Sequence, residues 1–171
     1  MRSRSDIAFK DIDDKWSLKP EYILYLDHFD GFTWRLWNYD MVIDSQFRYS
    51  IVFGSFELSI AKQQVRTFVE LEGVIPENLV AAINTFRESN VQPIIRTPDP
   101  GIYQAEDGSS DSYLIATING TLNGDFTSVV NNEMQFVNDT ERRLYALHTI
   151  LRNWLEVVLS EAETQENLPN S

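Results

Sequence analysis

Between Phe47 and Glu72 the chain carries three runs in which an apolar or strand-forming side chain stands at every second position. Phe47, Tyr49, Ile51 and Phe53 alternate with Arg48, Ser50 and Val52; Phe56, Leu58 and Ile60 with Glu57 and Ser59; and Val65, Thr67, Val69 and Leu71 with Arg66, Glu70 and Glu72. A period of two sends successive side chains to opposite faces of a strand, and a helix cannot accommodate it. Gly54 interrupts the first run and is expected to form a bulge that reverses the facing of one long strand. The polar stretch 61–64 then turns the chain back on itself.

Upstream, residues 21–29 contain Tyr-Ile-Leu-Tyr-Leu, and Asp30-Gly31 leads into Phe-Thr-Trp-Arg-Leu-Trp. Strand formers on both sides of Asp-Gly are a strong hairpin signal, so the first two strands should pair antiparallel. The four strands together read as a meander.

Two helices follow from a change of period. Pro76 is suited to a first helical position, and Leu79, Val80, Ile83 and Phe86 recur at helical spacing before Asn90, which predicts a short helix over about 76–89. Asn138 stands three residues before Glu141, a variant of the capping box. Leu144, Leu147, Leu151, Trp154, Leu155 and Val158 then form one apolar stripe, predicting a long amphipathic helix over about 139–160. Between the helices, 91–112 contains Pro93, Pro98, Pro100, Gly101 and Gly108 and reads as a loop; loops of this length are usually functional or disordered. Residues 113–118 read as a strand, and Asn119-Gly120 and Asn123-Gly124 offer two turn positions before 126–130 and a further segment at 134–137. The fold class is therefore α+β: an antiparallel meander sheet of roughly five to seven strands with both helices packed on it.

A chain of 171 residues fits a single core. Residues 1–19, mixed in charge and without period, are expected to be a flexible leader, 20–160 the domain, and 161–171 a disordered acidic tail. No apolar stretch reaches membrane-spanning length and none follows the basic N-terminal residues as a signal peptide would require. Cysteine is absent, which excludes disulfides, thiolate metal sites and cysteine nucleophiles. A cytoplasmic protein is expected. The Asn-Gly-Thr and Asn-Asp-Thr strings at 119–121 and 138–140 accordingly read as turn and cap chemistry.

Catalytic signals are sparse. Only two histidines are present. Asp27 precedes His28 but points to the opposite strand face, so it is badly placed to orient an imidazole. His148 has Leu144 and Arg152 four residues away on either side, neither able to share a divalent ion with it. Gly54-Ser55 and Gly108-Ser109-Ser110 lack the second glycine of a serine elbow, and neither a dinucleotide fingerprint nor a phosphate loop occurs. The acids of the 91–112 loop do not follow a calcium-loop spacing. No catalytic residue, metal or cofactor is expected, although a small hydrolase built on carboxylates or a metal remains a second alternative.

Charge carries more information. With 26 acidic against 14 basic residues the net charge is −12, and no Lys or Arg occurs between Arg96 and Arg142, a stretch holding Asp99, Glu106, Asp107, Asp111, Asp125, Glu133, Asp139 and Glu141. Such a field repels nucleic acid and anionic membrane and attracts a basic protein. Phe32, Trp34, Trp37, Tyr39 and Asp40 add an aromatic cluster of the kind that anchors interfaces. Asp99, Glu106, Asp107 and Asp111 in the loop, with Trp37, Tyr39 and Asp40, are thus the candidate partner-binding residues. By composition and size the chain is similar to bacterial immunity proteins, antitoxins and nucleic-acid mimics. The similarity implies an inhibitor that occludes a basic site on a toxin or other enzyme. An export-type chaperone that binds an effector segment is the alternative; monomer and homodimer both stay open.

Overall fold

The computed structural model describes residues 3–29, 35–58, 64–95, 109–127 and 136–166. In chain order these form helix α1 (Arg4–Ile7), strands β1 (Ala8–Lys10), β2 (Trp16–Leu18), β3 (Tyr22–Phe29), β4 (Arg35–Asp44), β5 (Arg48–Leu58) and β6 (Gln64–Val74), helix α2 (Glu77–Glu88), strands β7 (Ser110–Thr117) and β8 (Gly120–Thr127), and helix α3 (Asp139–Glu166). Strands β3 to β8 make one six-stranded sheet in the order β6-β5-β4-β3-β7-β8, while β1 and β2 pair separately. Every neighbouring pair is antiparallel. The meander is therefore β3 to β6, and the β7–β8 hairpin returns to lie beside β3.

Alternation divides each strand between two layers. Leu24, Leu26, Tyr39, Met41, Ile43, Ile51, Phe53, Tyr113, Ile115, Leu122 and Phe126 pack with Leu79, Ile83 and Phe86 of α2 and Leu144, Leu147, Leu151, Leu155 and Leu159 of α3. The opposite face buries Tyr25, Val42 and Leu114 against Ile7, Ala8 and Leu18. Residues 3–19 are thus a third layer and not a loose leader: Ile7 is closed to solvent, and its apolar contacts offset the entropy of ordering so short a segment.

Several local expectations shift. The pairing registers on both sides of β5 run through Gly54 without a break, Asn38 and Phe68 being its partners, so there is no bulge. Phe47 lies in a turn with φ 59°, where Asp44 Oδ1 accepts the backbone N–H groups of Gln46 and Arg48. Pro76 is the N-cap of α2, one residue before the helix. Ile118-Asn119 is the β7–β8 turn, and Gly120 opens β8 at φ 105°, whereas Gly124 sits within β8 under α3. A Cβ there would collide with Leu144 Cδ2, so the second Asn-Gly pair reflects close helix–sheet packing. Asn138 Oδ1 accepts the Glu141 N–H at 3.0 Å and Glu141 Oε2 accepts the Val137 N–H at 2.7 Å, the expected cap reaching one residue further back. Helix α3 continues past 160 to Glu166 with Ala162 buried, further than its apolar stripe implied; residues 167–171 of the expected tail lie outside the described residues.

Candidate functional site

Pairing brings three polar side chains into one row on the helix-facing side of the sheet. His28 on β3 lies opposite Tyr39 on β4 and opposite Asp111 on β7. Its Nδ1 is 2.8 Å from Asp111 Oδ1, its ring stacks on Tyr39 at 4.5 Å and 16°, and Arg152 Nη1 of α3 reaches Asp111 Oδ2 at 3.4 Å. Asp27 is excluded by alternation, as expected; the orienting carboxylate comes instead from 83 residues away. A carboxylate on Nδ1 is how a catalytic histidine is held. Here, however, His28 and Asp111 are each 4% exposed, and the pair fastens α3 to the sheet through Arg152. A second contact repeats the theme, with Tyr113 Oη 2.8 Å from His148 Nδ1. Burial pushes the Tyr113 hydroxyl well above its usual range and holds His148 below it, so near neutral pH the phenol is a donor to a neutral imidazole.

The other face of the same rows is acidic. Asp27 stands between Asp40 and Ser112, and Ser112 Oγ donates to Asp125 Oδ1 at 2.6 Å. Burial raises the Asp27 pKa; Arg4, 3.8 Å away, opposes the rise and Asp40 adds to it. The Arg4 guanidinium also lies 5.8 Å from the Trp16 ring and 5.7 Å from that of Tyr25, tying α1 to this face. Tyr25 is pushed up to about 12 by burial and then by Asp27 and Asp40. Among the described residues no group of three or more His, Asp or Glu side chains is arranged to hold a metal ion.

These positions correct the expected contact surface. Asp111 is in strand β7 and not in an acidic loop; with Tyr39 at 3% and Asp40 at 0% exposure, all three are interior residues without area to offer a partner. Trp37 pairs through its backbone with Ser55, and its side chain is outside the described residues. Asp99, Glu106 and Asp107 also lie outside them.

The structure offers a different surface, which sequence reasoning passed over. An open groove of about 690 Å³ runs between the β1–β2 turn, the β7–β8 turn and segment 91–95, lined among others by Asp11, Asp13, Asp14, Trp16, Val91 and Ile94. Of its apolar lining residues Ile95 is 72% exposed; Ile12 and Ile118 in the neighbouring turns are also exposed but do not line it.

Both walls are fixed. Asp11 Oδ1 accepts the N–H groups of Asp13 and Lys15, and Asp14 closes the turn at φ 60°, a conformation Asp tolerates. The hairpin is bonded to β8 through Leu18 N–H to Thr121 Oγ1 at 3.0 Å and Asn123 Nδ2 to Trp16 O at 3.1 Å. On the other side, Asn119 Nδ2 donates to Val91 O, Gln92 N–H to Thr140 Oγ1 and Asn138 Nδ2 to Pro93 O. The available sequence signal was Asp-Ile-Asp-Asp between Phe9 and Trp16, a turn-forming acidic run with apolar neighbours.

No described helix is long and apolar enough to cross a membrane. Comparison with protein-family models, curated proteins and solved structures finds no match to this chain.

Proposed function

We propose that this chain is an acidic protein-binding domain of the inhibitor or immunity type, acting in the cytoplasm by covering a basic site on a toxin or other enzyme. The observation that carries the reading is the open groove whose lining includes exposed Ile95 and the acids Asp11 and Asp13, set in a chain of net charge −12. Exposed apolar side chains clustered at a concavity mark interaction surfaces, and the surrounding negative field favours rapid encounter with a cationic partner.

The inner polar groups serve the fold. His28, Asp111 and half-buried Arg152 are engaged with one another, and buried Tyr113 with half-buried His148, contacts that join α3 to the sheet. Affinity capture from host lysate at low and moderate salt tests the reading. A single basic enzyme, recovered stoichiometrically, inhibited by the chain and released by salt, is the expected result; capture of assorted unfolded clients without salt dependence contradicts it. The apolar lining of the groove favours one second reading, an export-type chaperone for an effector segment, and that outcome would select it.

A further inference from the structure

We infer that the outer edge of β6 takes on one further antiparallel strand, supplied by a partner protein and alternating a Lys or Arg with an aliphatic residue. The inference rests on the acidic protein-binding reading and adds to it a place and a mode of binding. Strand β6 is eleven residues long and ends the sheet, and among the described elements β5 alone pairs with it. The ladder leaves alternate groups open. Ile75 N–H donates to Phe47 O, and the register continues with Val74 opposite Arg48 and Glu72 opposite Ser50. Bonded and non-bonded pairs alternate along an antiparallel ladder, so the N–H and C=O groups of Glu70, Glu72 and Val74 point away from β5, where no described residue bonds them. A long edge with such groups is ready to pair with another chain.

Side chains decide what that chain must carry. Glu70 and Glu72 are exposed on the face turned away from the helices, and Val74 beside them is 69% exposed. Neither glutamate is ion-paired to a described residue, and Arg48, opposite Val74, is held by Asp44 at 2.8 Å. A residue placed across from either one meets an unpaired carboxylate, which a Lys or Arg complements. An open hollow of about 700 Å³, lined among others by Tyr22, Val42, Glu72 and Val74, gives the methylenes of such a side chain apolar surface to lie on. Toward the helices, Val69 and Leu71 are half-buried at the margin of the core, so the intervening residues of the added strand exclude water best if aliphatic. A second copy of β6 is a poor occupant. Antiparallel pairing centred on Glu70, Leu71 or Glu72 sets glutamate against glutamate, in two chains each of net charge −12.

Four synthetic peptides of equal length test the inference: alternating Lys and Val, the same peptide methylated on its lysine backbone nitrogens, the same methylated on its valine backbone nitrogens, and alternating Glu and Val. Binding is followed on the intact chain through backbone amide resonances and hydrogen exchange. The plain Lys–Val peptide should shift the amides of residues 69–74 saturably and slow exchange at Glu70, Glu72 and Val74. With lysines opposite Glu70 and Glu72, the lysine N–H groups bond β6 and the valine N–H groups face away. Methylating the lysine nitrogens should therefore weaken binding by about tenfold or more, and methylating the valine nitrogens should change it by less than about twofold. The Glu–Val peptide should not bind. The double substitution Glu70→Gln with Glu72→Gln, at exposed positions, should weaken Lys–Val binding by about fivefold. Equal binding of the two methylated peptides overturns the edge pairing and leaves the acidic-surface reading standing. Failure of the plain Lys–Val peptide to bind overturns the inference outright, while salt-released capture of a basic enzyme would still sustain the broader reading. Exchange at Glu70 and Glu72 that slows as the chain alone is concentrated makes the occupant a second copy and overturns the basic strand.

Discussion

Replacing Asp111 by Ala separates two accounts of this residue. As a loop acid it would contact a partner, and its loss would leave stability unchanged. In the structure its carboxylate is buried, 2.8 Å from His28 Nδ1 and 3.4 Å from Arg152. Arg152 is one third exposed, so water takes over much of its partnership and its share of the loss is under about 1 kcal/mol. His28 has no such recourse. Stranding it forfeits a hydrogen bond to a charged group, about 1.5–3 kcal/mol. The expected total is about 2–3 kcal/mol, or roughly 5–10 °C in Tm for a domain of this size. Urea unfolding measures it directly, as a lower midpoint at unchanged slope. An unchanged midpoint would refute the buried-pair reasoning, and a loss of partner affinity at that unchanged midpoint would return Asp111 to the contact surface.

Three further predictions concern the same layers. Ile7→Ala should destabilise by about 2–4 kcal/mol, because Ile7 fills the core behind the sheet; a neutral effect in thermal unfolding would mean residues 3–19 are not docked. Gly124→Ala should cost about 1–3 kcal/mol by overpacking, since the added methyl falls on buried Leu144; calorimetry showing no loss would contradict that close approach. His148 has a folded pKa below its unfolded value, through burial, so the unfolded chain binds more protons. Its contribution to stability is therefore full above about pH 6.5 and declines as pH falls through that value. Comparing the pH dependence of unfolding for the natural chain and His148→Gln isolates this term, and identical profiles would contradict it.

What the sequence made legible follows from how local each signal is. The alternation across 49–58 and 65–72 and the stripe from Leu144 to Val158 each contain their own period, and both give the element that forms. Segment 3–19 has no period because its few apolar residues are distributed over one helical turn and two three-residue strands; only docking on Tyr25, Val42 and Leu114 orders them. Asp111 was misplaced for a related reason. The Pro- and Gly-rich run before it reads as loop, and nothing local shows that β7 begins at Ser110 and turns the carboxylate inward. The His28–Asp111 pair depends on the antiparallel register of β3 with β7 across 83 residues, information that no local spacing contains. The groove is hidden likewise, since residues 11–17, 91–95 and 117–123 converge only after both turns dock on β8.

The most direct test of the central claim is the association rate of the captured, purified partner as a function of ionic strength, measured by stopped flow on the natural chain and on a variant with Asp13→Asn and Asp14→Asn. Electrostatic recognition predicts a rate that falls steeply with salt for the natural chain and more gently for the variant, with dissociation changed much less. A rate indifferent to salt in both proteins would contradict an acidic surface as the means by which this domain finds its partner.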